Sequence, residues 1–235
     1  MSLSWPERAT LHIGPDALRL ERRAGVIEWP LVDADWGAAL AALPALPRFT
    51  SLRVSIADRY VRYLRVAWPP GLSADERRVF VEHRFVEVFG AGPWAVLTDR
   101  NAAGPQCIAA ALPLTLRDAL RDWARERRLS LRAVEPAFLA DFNQSRRRFR
   151  GDGAFARQER GRVTIGLWVT GAWRALRSLP VDEADGRAAV DGLIALLATL
   201  PEAPSVGTFH VAGALPADAS LPPGWTHADC AEAHS

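Results

Sequence analysis

The densest charge in the sequence is a run of arginines around one aromatic ring, Arg146-Arg147-Arg148-Phe149-Arg150. With Arg157, Arg160 and Arg162 it could hold an anion or an acidic protein surface. With Phe149 as a stacking platform it could also take single-stranded nucleic acid. The plainer reading is a solvated helix end, where cations offset the negative pole of the helix. His12 could ligate a metal or move a proton, but no second histidine or carboxylate is placed by sequence to assist it. His83 falls in a helical stretch and His210 in a strand, and both read as packed residues. Asp33 and Asp35 have the spacing of a paired acid, yet they immediately precede a helix, where carboxylates act as caps. Ser55 and Ser73 lie outside any nucleophile elbow. Of the two cysteines, Cys107 sits in an apolar run and reads as core, and Cys230 lies in a polar tail; no metal-ligand spacing connects them. No catalytic residue, metal set or cofactor site emerges.

Composition narrows the chemistry further. All 29 basic residues are arginine, which excludes Schiff-base chemistry, a lysine general base and a phosphate-loop lysine. Against 27 acidic residues the formal charge is +2, so nothing demands nucleic acid or an acidic membrane as partner. The chain is 235 residues long, 49% hydrophobic and 24% charged, the balance of a folded protein with one large domain or two small ones. The first eight residues lack the apolar core of a signal peptide, and the apolar run from Leu193 to Leu200 is too short to span a bilayer. A cytoplasmic protein without direct membrane insertion is expected.

The elements that must position these side chains follow from periodicity. Residues 9–13, 17–22 and 26–32 read as a meander of three strands, and 35–46 as a helix closed by Pro47. Strands follow at 52–56 and 60–68, broken by Pro69-Pro70-Gly71. Ser73 and Glu76 form a capping box that opens a helix to Phe89, with Gly90 suited to a left-handed stop. Strands at 94–98 and 107–112 precede a helix in which Leu116, Ala119, Leu120, Trp123 and Ala124 share one face, with Thr115 and Asp118 as its capping pair. A strand at 129–134 and a helix from Pro136 to Phe149 complete the first part. Three more strands at 154–159, 162–169 and 172–179, a helix over 182–200 weakened by Gly186 and Gly192, and a strand at 206–212 make the second. The remainder, rich in Pro, Ala, Gly and Asp, reads as a loosely ordered tail. Three strands followed by a helix thus occur twice. Most of the nine tryptophans, Trp123 among them, read as core.

That double pattern resembles the ribonuclease H-like, actin-like ATPase fold. It resembles more particularly the cytoplasmic actin-like proteins of type IV pilus assembly and the cytoplasmic domain of the L component of type II secretion. Three stretches carry the likeness: Leu11 to Leu20 as the opening strand–turn–strand; Trp68-Pro69-Pro70-Gly71-Leu72-Ser73-Ala74-Asp75-Glu76 with its helix; and Ala109 through the long helix to Ala137. The resemblance implies two related halves, residues 1–135 and a shortened 136–215, followed by a tail at 216–235. It implies degenerate nucleotide loops, because His12 stands where an aspartate is expected before Gly14, and Arg157 stands where the second aspartate is expected, near Glu159. A neutral imidazole is a poor ligand for Mg²⁺, which prefers hard oxygen. The function so implied is a non-catalytic scaffold without cofactor. It would bind inner-membrane assembly proteins or their cytoplasmic peptides in a groove of the first half, with the basic run Arg146, Arg147, Arg148 and Arg150 as a partner patch and self-association open. Nucleic acid is not among the expected partners. The competing readings are a nucleotide-binding actin-like ATPase and a ribonuclease H-like nucleic-acid binder.

Overall fold

Alternation of apolar and polar residues places Leu11 and Ile13 on one face of strand β1 (Arg8–Ile13) and Thr10 and His12 on the other. The computed structural model describes residues 7–32, 34–97, 105–182, 186–201, 203–213 and 215–229, so Asp33 and Cys230 lie outside the described residues. Strands β2 (Ala17–Arg22) and β3 (Gly25–Pro30) continue β1 as an antiparallel meander, with Leu11 opposite Leu20 and Leu20 opposite Ile27. Helix α1 (Trp36–Ala42) begins at Asp35, whose carboxylate accepts from the Ala38 N–H at 3.0 Å as a capping acid should. Strand β4 (Ser51–Ile56) then lies parallel to β1.

After a 3-10 turn at Asp58–Tyr60 comes an inserted segment: β5 (Arg62–Ala67), helix α2 (Ala74–Phe89), β6 (Trp94–Leu97) and β7 (Gln106–Pro113). The three strands form a sheet ordered β5-β7-β6. The capping box of α2 is present in full: the Glu76 N–H donates to Ser73 Oγ at 3.3 Å and the Ser73 N–H donates to Glu76 Oε2 at 2.8 Å. Gly90, at φ +79°, ends the helix.

Helix α3 (Leu114–Glu126) buries Leu116, Leu120, Trp123 and Ala124, the face given by its periodicity. Its start corrects the expected Thr115–Asp118 cap. The helix runs directly out of β7 with Pro113 as N-cap and no side-chain bond there, the Leu114 N–H donates to the Pro93 carbonyl at 2.7 Å, and Asp118 is taken by Arg117. The φ that proline imposes suits both a strand end and a helix start, so the chain passes from β7 into α3 at Pro113 with no capping side chain. Strand β8 (Ser130–Pro136) closes the first sheet beside β4, in the order β3-β2-β1-β4-β8. Helix α4 (Ala137–Ser145) follows.

The second sheet repeats that plan. Strands β9 (Gly153–Glu159), β10 (Arg162–Val169) and β11 (Ala172–Pro180) form an antiparallel meander. Helix α5 (Gly186–Thr199) leads to β12 (Gly207–Ala212), which lies parallel to β9. The expected tail is corrected here: Trp225–Asp229 is a strand, β13, parallel to β12, giving the order β11-β10-β9-β12-β13. Buried Trp225 packs where residue 207 has no side chain, since a Cβ on Gly207 would come within 2.8 Å of its ring. The crossover between β12 and β13 is made without a helix among its described residues. Gly192, which weakens α5 by propensity, lets the helix approach the sheet: a Cβ there would meet the Ile165 side chain at 2.3 Å.

Two compact units result: residues 1–61, 93–95 and 112–137, and residues 62–92, 96–111 and 138–235. The inserted segment thus groups mainly with the second sheet, whereas a boundary drawn after residue 135 leaves it with the first. In the first unit, Leu11, Ile13, Leu18, Leu20, Leu52, Val54 and Ile56 are buried on the strands. In the second, Ile165, Leu193, Phe209 and Val211 build a core together with α5. Phe138, Phe155, Trp168 and Leu176 build another, with Phe142 of α4 packed against it.

Candidate functional site

The first hairpin, where a phosphate loop is expected, is held by its own backbone. The Gly14 N–H donates to the Ala17 carbonyl at 2.8 Å, and a Cβ on Gly14 would lie 2.9 Å from that oxygen, so the turn itself requires glycine. The Tyr60 hydroxyl donates to the Pro15 carbonyl at 2.9 Å, and the Leu31 N–H donates to the Asp16 carbonyl at 2.8 Å. A phosphate cradle works by aiming N–H groups at its ligand, and the Gly14 N–H is committed elsewhere.

His12 lies on the polar face of β1, directly across from Arg19. Its Nε2 is 3.4 Å from Glu21 Oε2, while Arg19 reaches Glu21 Oε1 at 2.8 Å. The His12 and Glu21 side chains are part-exposed and that of Arg19 half-exposed, so the cluster is largely screened by water and adds little stability. Sequence reading passes over one buried acid: Asp58, fully enclosed, follows β4 at the start of the 3-10 turn. Nothing in its local sequence marks it as buried. Enclosure makes it a poor seat for Mg²⁺, which keeps several of its waters.

The second hairpin brings Arg157 and Glu159 together and adds a third residue that the sequence does not single out. Arg157 on β9 donates from Nε to Asp141 Oδ2 on α4 at 2.9 Å and from one terminal nitrogen to Glu159 Oε2 at 2.8 Å. The Glu159 side chain is only 5% exposed. Gly161, at φ +74°, turns the chain into β10, where Arg162 stands across from Glu159 and bonds Ser178 Oγ at 3.2 Å. Thr164 and Ser178 share a hydroxyl bond of 2.9 Å. A guanidinium gripped by two carboxylates is a structural clamp; chemically it can lock α4 to the sheet, and its charge is already answered. Among the described residues no three His, Cys, Asp or Glu side chains converge to hold a metal ion.

The basic run follows α4 as a turn, with the Arg148 N–H donating to the Ser145 carbonyl at 2.9 Å. Arg146, Arg147, Arg148 and Arg150 are exposed, and Arg150 donates to the Arg147 carbonyl at 2.7 Å. Phe149 turns inward. Its ring stacks on Trp168 at 5.1 Å and 17° and lies 4.2 Å from the His210 ring. An aromatic so placed offers no platform to a base, which removes the ring from the single-strand reading.

His210 itself is buried on β12, and burial pushes its pKa down to about 4, with the charge of His227 adding to the effect and a backbone bond to Ala228 opposing it. A histidine depressed in the folded state binds its proton more readily when unfolded, so stability falls as pH drops from 6.5 towards 4. Urea unfolding midpoints measured across that window should decline, and His210→Asn should flatten the decline; an unchanged slope would place the titration elsewhere.

No protein-family profile and no curated protein matches this chain. Solved structures do. The cytoplasmic domain of EpsL, an inner membrane component of the type II secretion system of Vibrio cholerae, is similar over 95% of this chain and 89% of its own, at 14% identity and TM-score 0.56. A Bacteroides thetaiotaomicron protein with actin-like ATPase fold is similar over 89% and 82%, at 12% identity and TM-score 0.55. A chain of the PilM–PilN type IV pilus biogenesis complex is similar over 88% and 82%, at 15% identity and TM-score 0.52. With the repeated strand order of its two sheets, the chain therefore has the actin-like ATPase fold, as its sequence resemblance implies.

Proposed function

We propose that this protein is a non-catalytic actin-like scaffold that works at the cytoplasmic side of a type IV pilus or type II secretion assembly and binds cytoplasmic segments of inner-membrane partners. The observation that carries the proposal is the clamp at the second hairpin. Where a nucleotide-binding relative needs an acid facing Mg²⁺, this chain has Arg157, and its guanidinium is held by Asp141 and Glu159. His12 at the first hairpin adds no hard oxygen. The likeness in fold to a secretion component and to a chain of a pilus biogenesis complex supports this setting. Among the described residues no helix is long and apolar enough to cross a membrane, which fits a part delivered to the membrane through partners.

The test uses the cytoplasmic segment of an inner-membrane protein encoded beside this one, titrated calorimetrically into the full chain. A one-to-one complex with a dissociation constant on the order of micromolar is the expected result. Heats no greater than dilution, for every such neighbour, would remove the scaffold reading.

A further inference from the structure

The meander β9–β10–β11 is regular except at one point. Leu167 pairs with Ala175 and Trp168 with Trp173, so Arg174 is the extra residue of a β-bulge. Bulges re-aim a side chain out of the ladder and recur beside functional sites. Here the bulge brings Arg174 to the wall of a cavity of about 160 Å³. Arg65 of β5 lines the same cavity, and its position is enforced: it donates to Gln106 Oε1 at 2.8 Å, and Gln106 Nε2 donates to the carbonyl of Trp173, the residue before the bulge, at 3.0 Å. One amide therefore ties both guanidinium-bearing strands together. The rest of the lining is apolar, with Leu167 and Val169 from β10 and Pro201 and Pro204 from the segment after α5.

No carboxylate stands among the described lining residues, and Arg174 has no ion pair among the described residues. Glu87, which shares a neighbouring hollow with Arg65, is already paired with Arg84 and with His83 at 3.5 Å. Two cations over an apolar floor match one kind of occupant: an acidic residue flanked by aliphatic ones. The carboxylate would take charge-assisted bonds from the two arginines, and its neighbours would cover Leu167, Val169 and the prolines.

We propose that this pocket is the docking point for an acidic–aliphatic segment of a partner protein. The proposal deepens the scaffold reading and rests on it. The first test is NMR titration of the full chain, labelled at arginine with ¹⁵N, using an acetylated, amidated Leu-Glu-Leu peptide, its Leu-Gln-Leu counterpart, acetate and inorganic phosphate. The glutamate peptide should shift the Arg65 and Arg174 Nε–H signals saturably, and the glutamine peptide should bind about tenfold more weakly. Arg174→Gln, at an exposed position, should weaken the glutamate peptide by about the same factor, and Gln106→Leu by a smaller one because it only loosens Arg65. Equal binding of both peptides, or acetate or phosphate saturating the two signals where the peptide does not, would overturn the proposal. So would an Arg65→Gln/Arg174→Gln double variant that holds the inner-membrane segment as tightly as the parent chain. That last outcome leaves the scaffold reading intact, whereas failure of every inner-membrane segment to bind removes the scaffold reading whatever the short peptides do.

Discussion

Replacing Arg157 with alanine is expected to cost about 3–5 kcal/mol of stability, because it takes from a buried carboxylate the cation that meets it at 2.8 Å. Glu159 is the reason for the size. Its side chain is 5% exposed and receives Arg157 at 2.8 Å, so removal of the guanidinium leaves a negative charge in an enclosed place. Asp141, 39% exposed on α4, can turn to water when its partner goes, so Asp141→Asn should cost far less, about 1 kcal/mol or below. Arg157→Met combined with Glu159→Gln removes both charges at once and should recover much of the loss of the single variant. Urea unfolding of the three variants measures this directly. If Arg157→Ala changes stability by no more than a surface substitution, about 0.5 kcal/mol, the guanidinium is not clamped and is available to a ligand.

Phe149→Ala should cost about 3 kcal/mol, although the residue sits within four exposed arginines. Its ring lies 5.1 Å from Trp168, 5.3 Å from Phe142, 5.9 Å from Phe155 and 4.2 Å from His210, and alanine would leave a hole at the meeting point of all four. Arg146→Gln and Arg147→Gln, by contrast, should stay within about 0.5 kcal/mol. A nucleic-acid platform predicts the opposite ordering: an exposed Phe149 that is neutral to folding, and a loss of salt-dependent single-strand affinity on its removal. Unfolding midpoints together with single-stranded DNA titrations of the same three variants separate the two.

Much of the fold was legible from the sequence because period-two alternation is strong wherever one strand face is buried and the other is wet. Leu18 and Leu20 are fully buried in β2 while Arg19 between them is exposed. The same logic failed for β13. Its residues, Trp-Thr-His-Ala-Asp, follow a Pro-rich stretch and carry one large apolar side chain, so propensity votes for a loop; pairing with β12 and the space above Gly207 decide otherwise. The α3 cap was misjudged for a related reason. Thr115 and Asp118 have capping spacing, but the strand runs into the helix through Pro113, and tertiary connection outranked the local signal. At the candidate site, His12 and Arg157 were visible as departures from a nucleotide-binding pattern, with Gly14 retained at the first turn and Glu159 close to Arg157 in the second. Asp141 was not, because its partner lies sixteen residues on and the pairing exists only once α4 packs on the second sheet. The β-bulge that frees Arg174 leaves no mark in composition or periodicity.

Closure of the first hairpin by its own backbone and of the second by the Arg157 clamp is tested most directly by thermal unfolding of the purified chain against increasing Mg·ATP. A melting temperature that stays constant up to millimolar nucleotide is the result expected of a scaffold that cannot hold phosphate. A melting temperature that climbs with the logarithm of nucleotide concentration, and stops climbing when Mg²⁺ is chelated, would contradict it.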